Sequence, residues 1–190
     1  MISSKQRKTD LRKTLRARRL ALSPAQQQSC AEAVARHISE APFWQEAQTL
    51  AVYFAADGEL DPAALVSLAR IAGKSVYLPA ITPYKRLEFR LWEPDTELKN
   101  NHVGIPEPLL QGMAHKKPDL ICLPVVGWDK NGTRLGMGGG YYDRYLQNAG
   151  TTPKVGLAYA LQESAHLPRD TWDMALDFVV TERGIISCCS

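Results

Sequence analysis

The chain has 190 residues, of which 45% are hydrophobic, 23% charged and 8% aromatic; this excludes a disordered, collagen-like or disulfide-dense protein and favours one domain. A chain of about 150 residues buries roughly 70% of its unfolded surface, so this one can build a core without staples. The net charge of +3 hides an asymmetry: Lys5, Arg7, Lys8, Arg12, Lys13, Arg16, Arg18 and Arg19 against Asp10 give residues 1–20 a charge of +7, leaving −4 for residues 21–190. A basic arm on a mildly acidic body argues for one localised anion contact and against a nucleic-acid surface over the whole protein.

In chain order, residues 5–20 read as a basic helix with Leu11, Leu15 and Leu20 on its apolar side. Ser23-Pro24-Ala25-Gln26 is a capping box with proline at the first helical position. The helix it starts runs to about Ser39, with Ala33, Val34 and Ile38 on the buried stripe, and Pro42 ends it. Thr49 to Ala55 reads as a buried strand, Asp57-Gly58-Glu59 as a loop, and Asp61-Pro62 as the start of a helix that Gly73 stops. Ser75 to Pro79 is the next strand. Strand, helix and strand within about 30 residues form a βαβ unit, which implies parallel pairing.

Leu87 to Trp92 alternates and suits an edge strand or hairpin arm. Asp119 to Val126 is a third buried strand, and its apolar run Leu120 to Val126 is far below the ~18 residues of a membrane span. Lys130-Asn131-Gly132 is a turn. A helix follows from about Gly140 to Gln147, then short strands at Val155 to Tyr159, Phe178 to Thr181 and Ile185-Ile186. The predicted architecture is three-layer α/β with a largely parallel sheet flanked by helices. Cys30, Cys122, Cys188 and Cys189 form no CxxC, and His37, His102, His115 and His166 have no metal-ligand spacing. A reduced cytoplasmic protein without a structural metal is expected.

The most informative segment is Arg134-Leu135-Gly136-Met137-Gly138-Gly139-Gly140-Tyr141-Tyr142-Asp143-Arg144. Four glycines in five positions, between a buried strand and a helix, let backbone N–H groups converge on an anion. The helix behind adds its positive end. Gly140 is followed by Tyr141 and Tyr142 rather than Lys-Ser/Thr, so this is not a Walker A loop, and the third glycine position of a dinucleotide fingerprint falls on Tyr141. The plain alternative is a tight turn for close packing. A helix end contributes ~0.3–1 kcal/mol, up to ~2, whereas micromolar binding needs ~8 kcal/mol. Arg134, Arg144, the basic arm and a metal on Asp143 must therefore supply most of any nucleotide affinity.

These residues resemble the 5-formyltetrahydrofolate cyclo-ligase (methenyltetrahydrofolate synthetase) family over nearly the whole chain. The likeness rests on Lys8-Thr9-Asp10-Leu11-Arg12, Phe54 to Glu59 (FAADGE) and Arg134 to Arg144, with Gly104 to Pro108 and Trp172-Asp173 in support. Some family members carry lysine in the middle of the glycine run, where this chain has Gly139. The resemblance implies a NagB/RpiA/CoA-transferase-like fold and a single domain over 1–190, whose basic helix contributes to an ATP site. It implies conversion of 5-formyltetrahydrofolate to 5,10-methenyltetrahydrofolate with ATP and Mg2+, ADP and phosphate being released. The route is an imidate phosphate formed when the formyl oxygen attacks the γ-phosphorus.

The same resemblance implies roles. Lys8 and Arg12, four apart on one helical face, would contact ATP phosphates. Arg134, Gly136, Met137, Gly138, Gly139, Gly140, Tyr141 and Tyr142 would form the ATP loop, with Met137 to Tyr141 also facing the folate. Phe54 would contact the pterin face and Glu59 its N–H edge, since one carboxylate can accept two such bonds. Asp143 and Asp173 would hold the metal, and Arg134 and Asp143 would be catalytic. The competing readings are core packing for Phe54 and a solvated acid for Glu59. For Asp143 it is a first-turn acid, and Asp170 and Asp177 are rivals to Asp173. At the level of function the alternatives are a nucleic-acid-binding arm and an ATP-independent sugar-phosphate isomerase. Neither nucleic acid nor membrane is an expected partner, and a monomer is the default at this size.

Overall fold

The computed structural model describes residues 3–102, 104–109 and 117–188; His115 and Cys189 lie outside them. Helix α1 (Ser4–Leu20) is capped by the Ser3 hydroxyl, which accepts from the Gln6 N–H. Helix α2 (Pro24–Ser39) starts with the expected capping box: Ser23 accepts from the Gln26 N–H, and Gln26 accepts from the Ser23 N–H. Its buried stripe is Ala31, Val34, Ala35 and Ile38, while Ala33 is only half-buried. Pro42 does not merely stop this helix. It opens the short α3 (Pro42–Glu46), where a missing N–H costs nothing.

Strand β1 (Thr49–Ala51), helix α4 (Ala63–Ile71) and strand β2 (Ser75–Ile81) form the βαβ unit, with β1 and β2 parallel. β1 is shorter than the apolar run suggests. Its continuation leaves the sheet to bury Tyr53, whose hydroxyl donates to the Leu60 carbonyl. Strand β3 (Leu87–Leu91) is the expected edge, antiparallel to β2. Strands β4 (Leu98–Asn100) and β5 (Pro106–Pro108) form a hairpin that the sequence hid, since all three residues of β4 are exposed. Glu107 moors it by accepting from the Ile81 N–H and the Asn101 amide.

Strand β6 (Leu120–Pro124) stops before the apolar run ends, because the next carbonyls serve side chains. Val125 O accepts from Gln162 and Arg19, and Val126 O from Gln162. Strands β7 (Gly127–Trp128) and β8 (Arg134–Leu135) make a tight hairpin. Helix α5 (Tyr141–Leu146), strands β9 (Lys154–Leu157) and β10 (Phe178–Thr181) and the closing β11 (Gly184–Ser187) complete the chain.

The main sheet runs β11-β10-β9-β6-β1-β2-β3. Its five central strands are parallel and its two edges antiparallel. One face packs α2, α3 and α4 through Val34, Ile38, Trp44, Leu65 and Ala69. The other packs α5 and residues 174–176 through Leu146, Met174 and Leu176. From β1 the chain steps outward through β2 and β3, then crosses to β6 on the opposite side of β1. The switch point of the sheet thus lies between β1 and β6, where ligands bind in open α/β folds. No helix among the described residues is long and apolar enough to cross a membrane.

Helix α1 caps the carboxyl ends of these two strands. Leu15, 2% exposed, packs with Val126, Leu135 and Leu167. A Cβ at Gly127 would collide with Leu15 Cδ1, so glycine there permits the close approach. Leu20, expected on the apolar side, is half exposed. Leu15→Ala is expected to cost ~2–4 kcal/mol, measured as a lower urea midpoint. Leu20→Ala should stay within about 0.5 kcal/mol; equal losses would mean that α1 is not docked through Leu15.

Candidate functional site

Three segments meet at the switch point: the β1 exit with Phe54, Asp57 and Glu59, the bend between β8 and α5, and α1 across both. The β7–β8 hairpin that carries Arg134 is held by Asp129, a fully buried carboxylate. Its Oδ1 accepts from the Asn131 and Thr133 N–H groups and its Oδ2 from Leu167 N–H. The frame that aims Arg134 is therefore rigid.

The Arg134 side chain is 5% exposed, and its Nη2 donates to Asp143 Oδ1 at 2.6 Å. The same oxygen accepts from Met174 N–H at 3.2 Å. Arg134 Nη1 is buried with no partner. A buried guanidinium nitrogen without an acceptor is costly, and it suits an incoming anion. Its guanidinium carbon lies 5.9 Å from the Tyr142 ring centre. Burial, with the nearby Glu59 charge, pushes the Tyr142 hydroxyl far above the ordinary tyrosine range.

The bend itself faces solvent at Met137, Gly138 and Gly139. Gly138 (φ 102°) and Gly140 (φ 65°) are in the left-handed region that other residues rarely adopt. A Cβ at Gly136 would meet nothing within 4 Å, whereas one at Gly139 would fall 2.9 Å from Tyr141 Cδ2. Arg144 donates to the Gly139 carbonyl and lies 5.0 Å from the Tyr141 ring centre. Helix α5 has only six residues and no side-chain cap. The expected helix-end contribution is correspondingly small, and the cations against the bend are Arg144 and Arg12, whose guanidinium nitrogen would lie 3.5 Å from a Cβ at Gly138.

On α1, Lys8 Nζ donates to Asp170 Oδ2 at 2.8 Å and Asp173 Oδ2 at 2.7 Å. Burial opposes its charge, but those two carboxylates outweigh the burial and hold the ammonium above the ordinary lysine range. Arg12 Nε donates to the Gly136 carbonyl at 2.8 Å. Lys8 and Arg12 therefore share a face, as the spacing predicts, and Asp173 sits beside Lys8. Asp177 lies elsewhere, accepting from the Lys154 N–H and Nζ. Asp170 is a partner that the sequence named only as a rival.

At the β1 exit, Phe54 is half-buried and packs edge-on against Trp92, centroids 5.2 Å apart. Glu59 Oε2 accepts from the Ala56 N–H, and its side chain is 11% exposed. Burial raises its carboxyl above the usual range, against the Ala56 N–H and the Arg19 charge, while Asp57 adds to the rise. Reading the sequence missed Arg19 and Asp57 here. Arg19 is fully buried, and its guanidinium reaches Asp57 Oδ2 at 2.8 Å and Glu59 Oε1 at 3.8 Å. The only local hint was Asp57-Gly58, a turn pair.

Among the described residues no three His, Cys, Asp or Glu side chains group as a metal site. Asp143 and Asp173 lie in separate ion pairs, with Arg134 and with Lys8. A hard cation that keeps its waters and binds through one or two carboxylates plus phosphate oxygens still fits Asp143. A resident all-protein cage does not fit.

Residues 4–182 match the 5-formyltetrahydrofolate cyclo-ligase family. The chain is 40% identical over 174 residues to 5-formyltetrahydrofolate cyclo-ligase of Escherichia coli, covering 88% of this chain and 96% of the relative. It is 37% identical over 178 residues to that of Haemophilus influenzae, covering 90% and 95%. The solved 5,10-methenyltetrahydrofolate synthetase of Aquifex aeolicus superposes with a TM-score of 0.84 at 31% identity, over 96% of this chain and 93% of that one.

The raised Glu59 carboxyl has a consequence for stability. In the folded state it binds its proton at a pH where the unfolded chain, with a carboxyl near 4.5, has lost it. The contribution is fully present below that value and is lost as pH rises through the folded pKa. Glu59→Gln should therefore raise the thermal midpoint relative to wild type more at pH 7.5 than at pH 4.5. An advantage that shrinks on going to pH 7.5 would contradict the burial argument.

Proposed function

This chain belongs to the 5-formyltetrahydrofolate cyclo-ligase family, and on that premise we propose that it closes 5-formyltetrahydrofolate to 5,10-methenyltetrahydrofolate at the expense of ATP. The observation that carries this reading is the Arg134 guanidinium, buried where the chain enters an open glycine bend, with Nη1 unpartnered. That is a donor prepared for a phosphoryl oxygen. The identity to cyclo-ligases over most of the chain supports the choice of substrate.

In the proposed reaction the formyl oxygen attacks the γ-phosphorus and the bond to ADP breaks. N10 then attacks the formyl carbon and loses its proton, and phosphate departs with the former formyl oxygen. No covalent enzyme intermediate is needed, so catalysis is positioning and charge neutralisation. Arg134 would bind the transferring phosphoryl group, while the N–H groups of Gly136 to Tyr142 line the tail. Met137 to Tyr141 would also border the folate, with Phe54 against the pterin face and Glu59 accepting from its N–H edge. Mg2+ would neutralise phosphate charge, held by Asp143. Asp173 would join it only if Lys8 left its carboxylates for a phosphate. Arg12 would follow the phosphates from the Gly136 side.

A single domain over 1–190 working as a cytoplasmic monomer belongs to the same proposal. The free thiols Cys30 and Cys122 support a reducing compartment. The basic arm has a use within the molecule: Lys8, Arg12, Arg16 and Arg19 all bond to the protein body.

Purified protein with MgATP and 5-formyltetrahydrofolate is expected to give the near-ultraviolet absorbance of the methenyl product; no ATP-dependent rise would reject the reading. Asp143→Asn, which keeps an acceptor for Arg134, should lower turnover by about 100-fold or more while remaining folded. Asp143→Ala is a poorer probe, because stranding the buried Arg134 charge should cost ~3–5 kcal/mol of stability. Wild-type turnover in folded Asp143→Asn would remove Asp143 from the site.

A further inference from the structure

One stripe of α1 reaches three loops. Lys8 holds the 170–173 segment and Arg12 the glycine bend, while Arg16 and Arg19 hold the β1 exit. Lys8 and Arg19 are eleven residues apart, about 16 Å along a rigid helix. The far end converges on one carboxylate. Asp57 Oδ2 accepts from Arg16 Nε at 2.6 Å and Arg19 Nη2 at 2.8 Å, and Oδ1 accepts from Arg16 Nη2 at 3.0 Å. Arg19 Nε also donates to the Asp57 carbonyl at 2.9 Å, and Arg19 Nη1 to the Val125 carbonyl at the β6 exit.

The backbone held this way makes a left-handed turn. Asp57 (φ 54°) and Gly58 (φ 72°) are consecutive left-handed residues, and Asp57 is one of two described non-glycine residues with positive φ. Such a conformation persists where surrounding contacts impose it. The turn it makes delivers Glu59, whose Oε1 is 3.8 Å from Arg19 Nη2. A Cβ on Gly58 would lie 3.0 Å from Leu20 Cδ2, so the turn also rests on the last turn of α1. Glu59 is thus held from two sides, by its own turn through Ala56 and by α1 through Arg19.

Resting on the reading of the site given above, we infer that Asp57 is a positioning residue that couples its two halves. Through its grip on Arg16 and Arg19, the affinity of the Glu59 side for a pterin depends on whether the Lys8–Arg12 side holds a phosphate. A ligand that draws Lys8 and Arg12 loads the bonds along this stripe, and Asp57, joined to Arg16 and Arg19, passes that load to the turn carrying Glu59. By linkage the pterin tightens the nucleotide by the same factor.

Asp57→Asn separates this from simple anchoring, since asparagine keeps the volume and tolerates the left-handed backbone but loses the charge. Calorimetric titration with 5-formyltetrahydrofolate, with and without a non-hydrolysable ATP analogue and magnesium, measures the coupling. The nucleotide should tighten folate by about 5-fold or more in wild type and by less than about 2-fold in Asp57→Asn. In turnover the variant should lose KM for the folate rather than kcat. Arg16→Ala, at a half-exposed position, should give an intermediate coupling and carries the test if Asp57→Asn does not fold. Undiminished coupling in the folded variant, or no coupling in wild type that binds both ligands, overturns the inference alone. Wild type that binds neither ligand overturns the functional reading with it.

Discussion

The site depends on a guanidinium that is buried and only half paired. Arg134 stands just before the glycine bend, with Nη2 on Asp143 and Nη1 buried without a partner. Burying such a charge is costly, and the cost is met only where geometry is imposed from outside. Asp129 imposes it, spending both carboxylate oxygens on backbone N–H groups that fix the β7–β8 hairpin. The bend that follows is open to solvent at Met137, Gly138 and Gly139, with the Arg12 guanidinium against Gly138 and Arg144 against Gly140. The cations thus flank the four glycines rather than standing among them.

The second constraint is that α1 is a wall of the site rather than an appended arm. Its basic stripe is consumed by the body at Lys8, Arg12, Arg16 and Arg19, while Leu15 is its one deeply buried apolar anchor. Charge asymmetry in the sequence thus reflects an internal interface. Lys8 rests between Asp170 and Asp173, and each side of that cluster neutralises the other.

Local signals were legible and distant pairings were not. The capping box of α2, the βαβ unit and strands β9, β10 and β11 could be read because their causes lie within a few residues: a cap, a glycine stop, a short apolar run. The glycine bend was legible for the same reason. Its partners were not. Arg19 looks like one more cation in a basic helix, and its burial follows from Asp57, 38 positions away. Lys8 and Asp173 are 165 positions apart. β4 is wholly exposed and its hairpin is set by Glu107, so no hydrophobic period announces it. The apolar runs overstated β1 and β6, because hydrophobicity continues where the ladder has already been given up to Tyr53, Gln162 and Arg19.

The unpartnered nitrogen of Arg134 is the donor on which the proposed phosphate site rests. A crystal structure of the wild-type chain with a non-hydrolysable ATP analogue, magnesium and 5-formyltetrahydrofolate tests it most directly. The account predicts a γ-phosphate oxygen within hydrogen-bond distance of Arg134 Nη1, with Gly136 to Gly140 wrapped around the triphosphate. A triphosphate bound elsewhere, with Nη1 still without an acceptor, would contradict it.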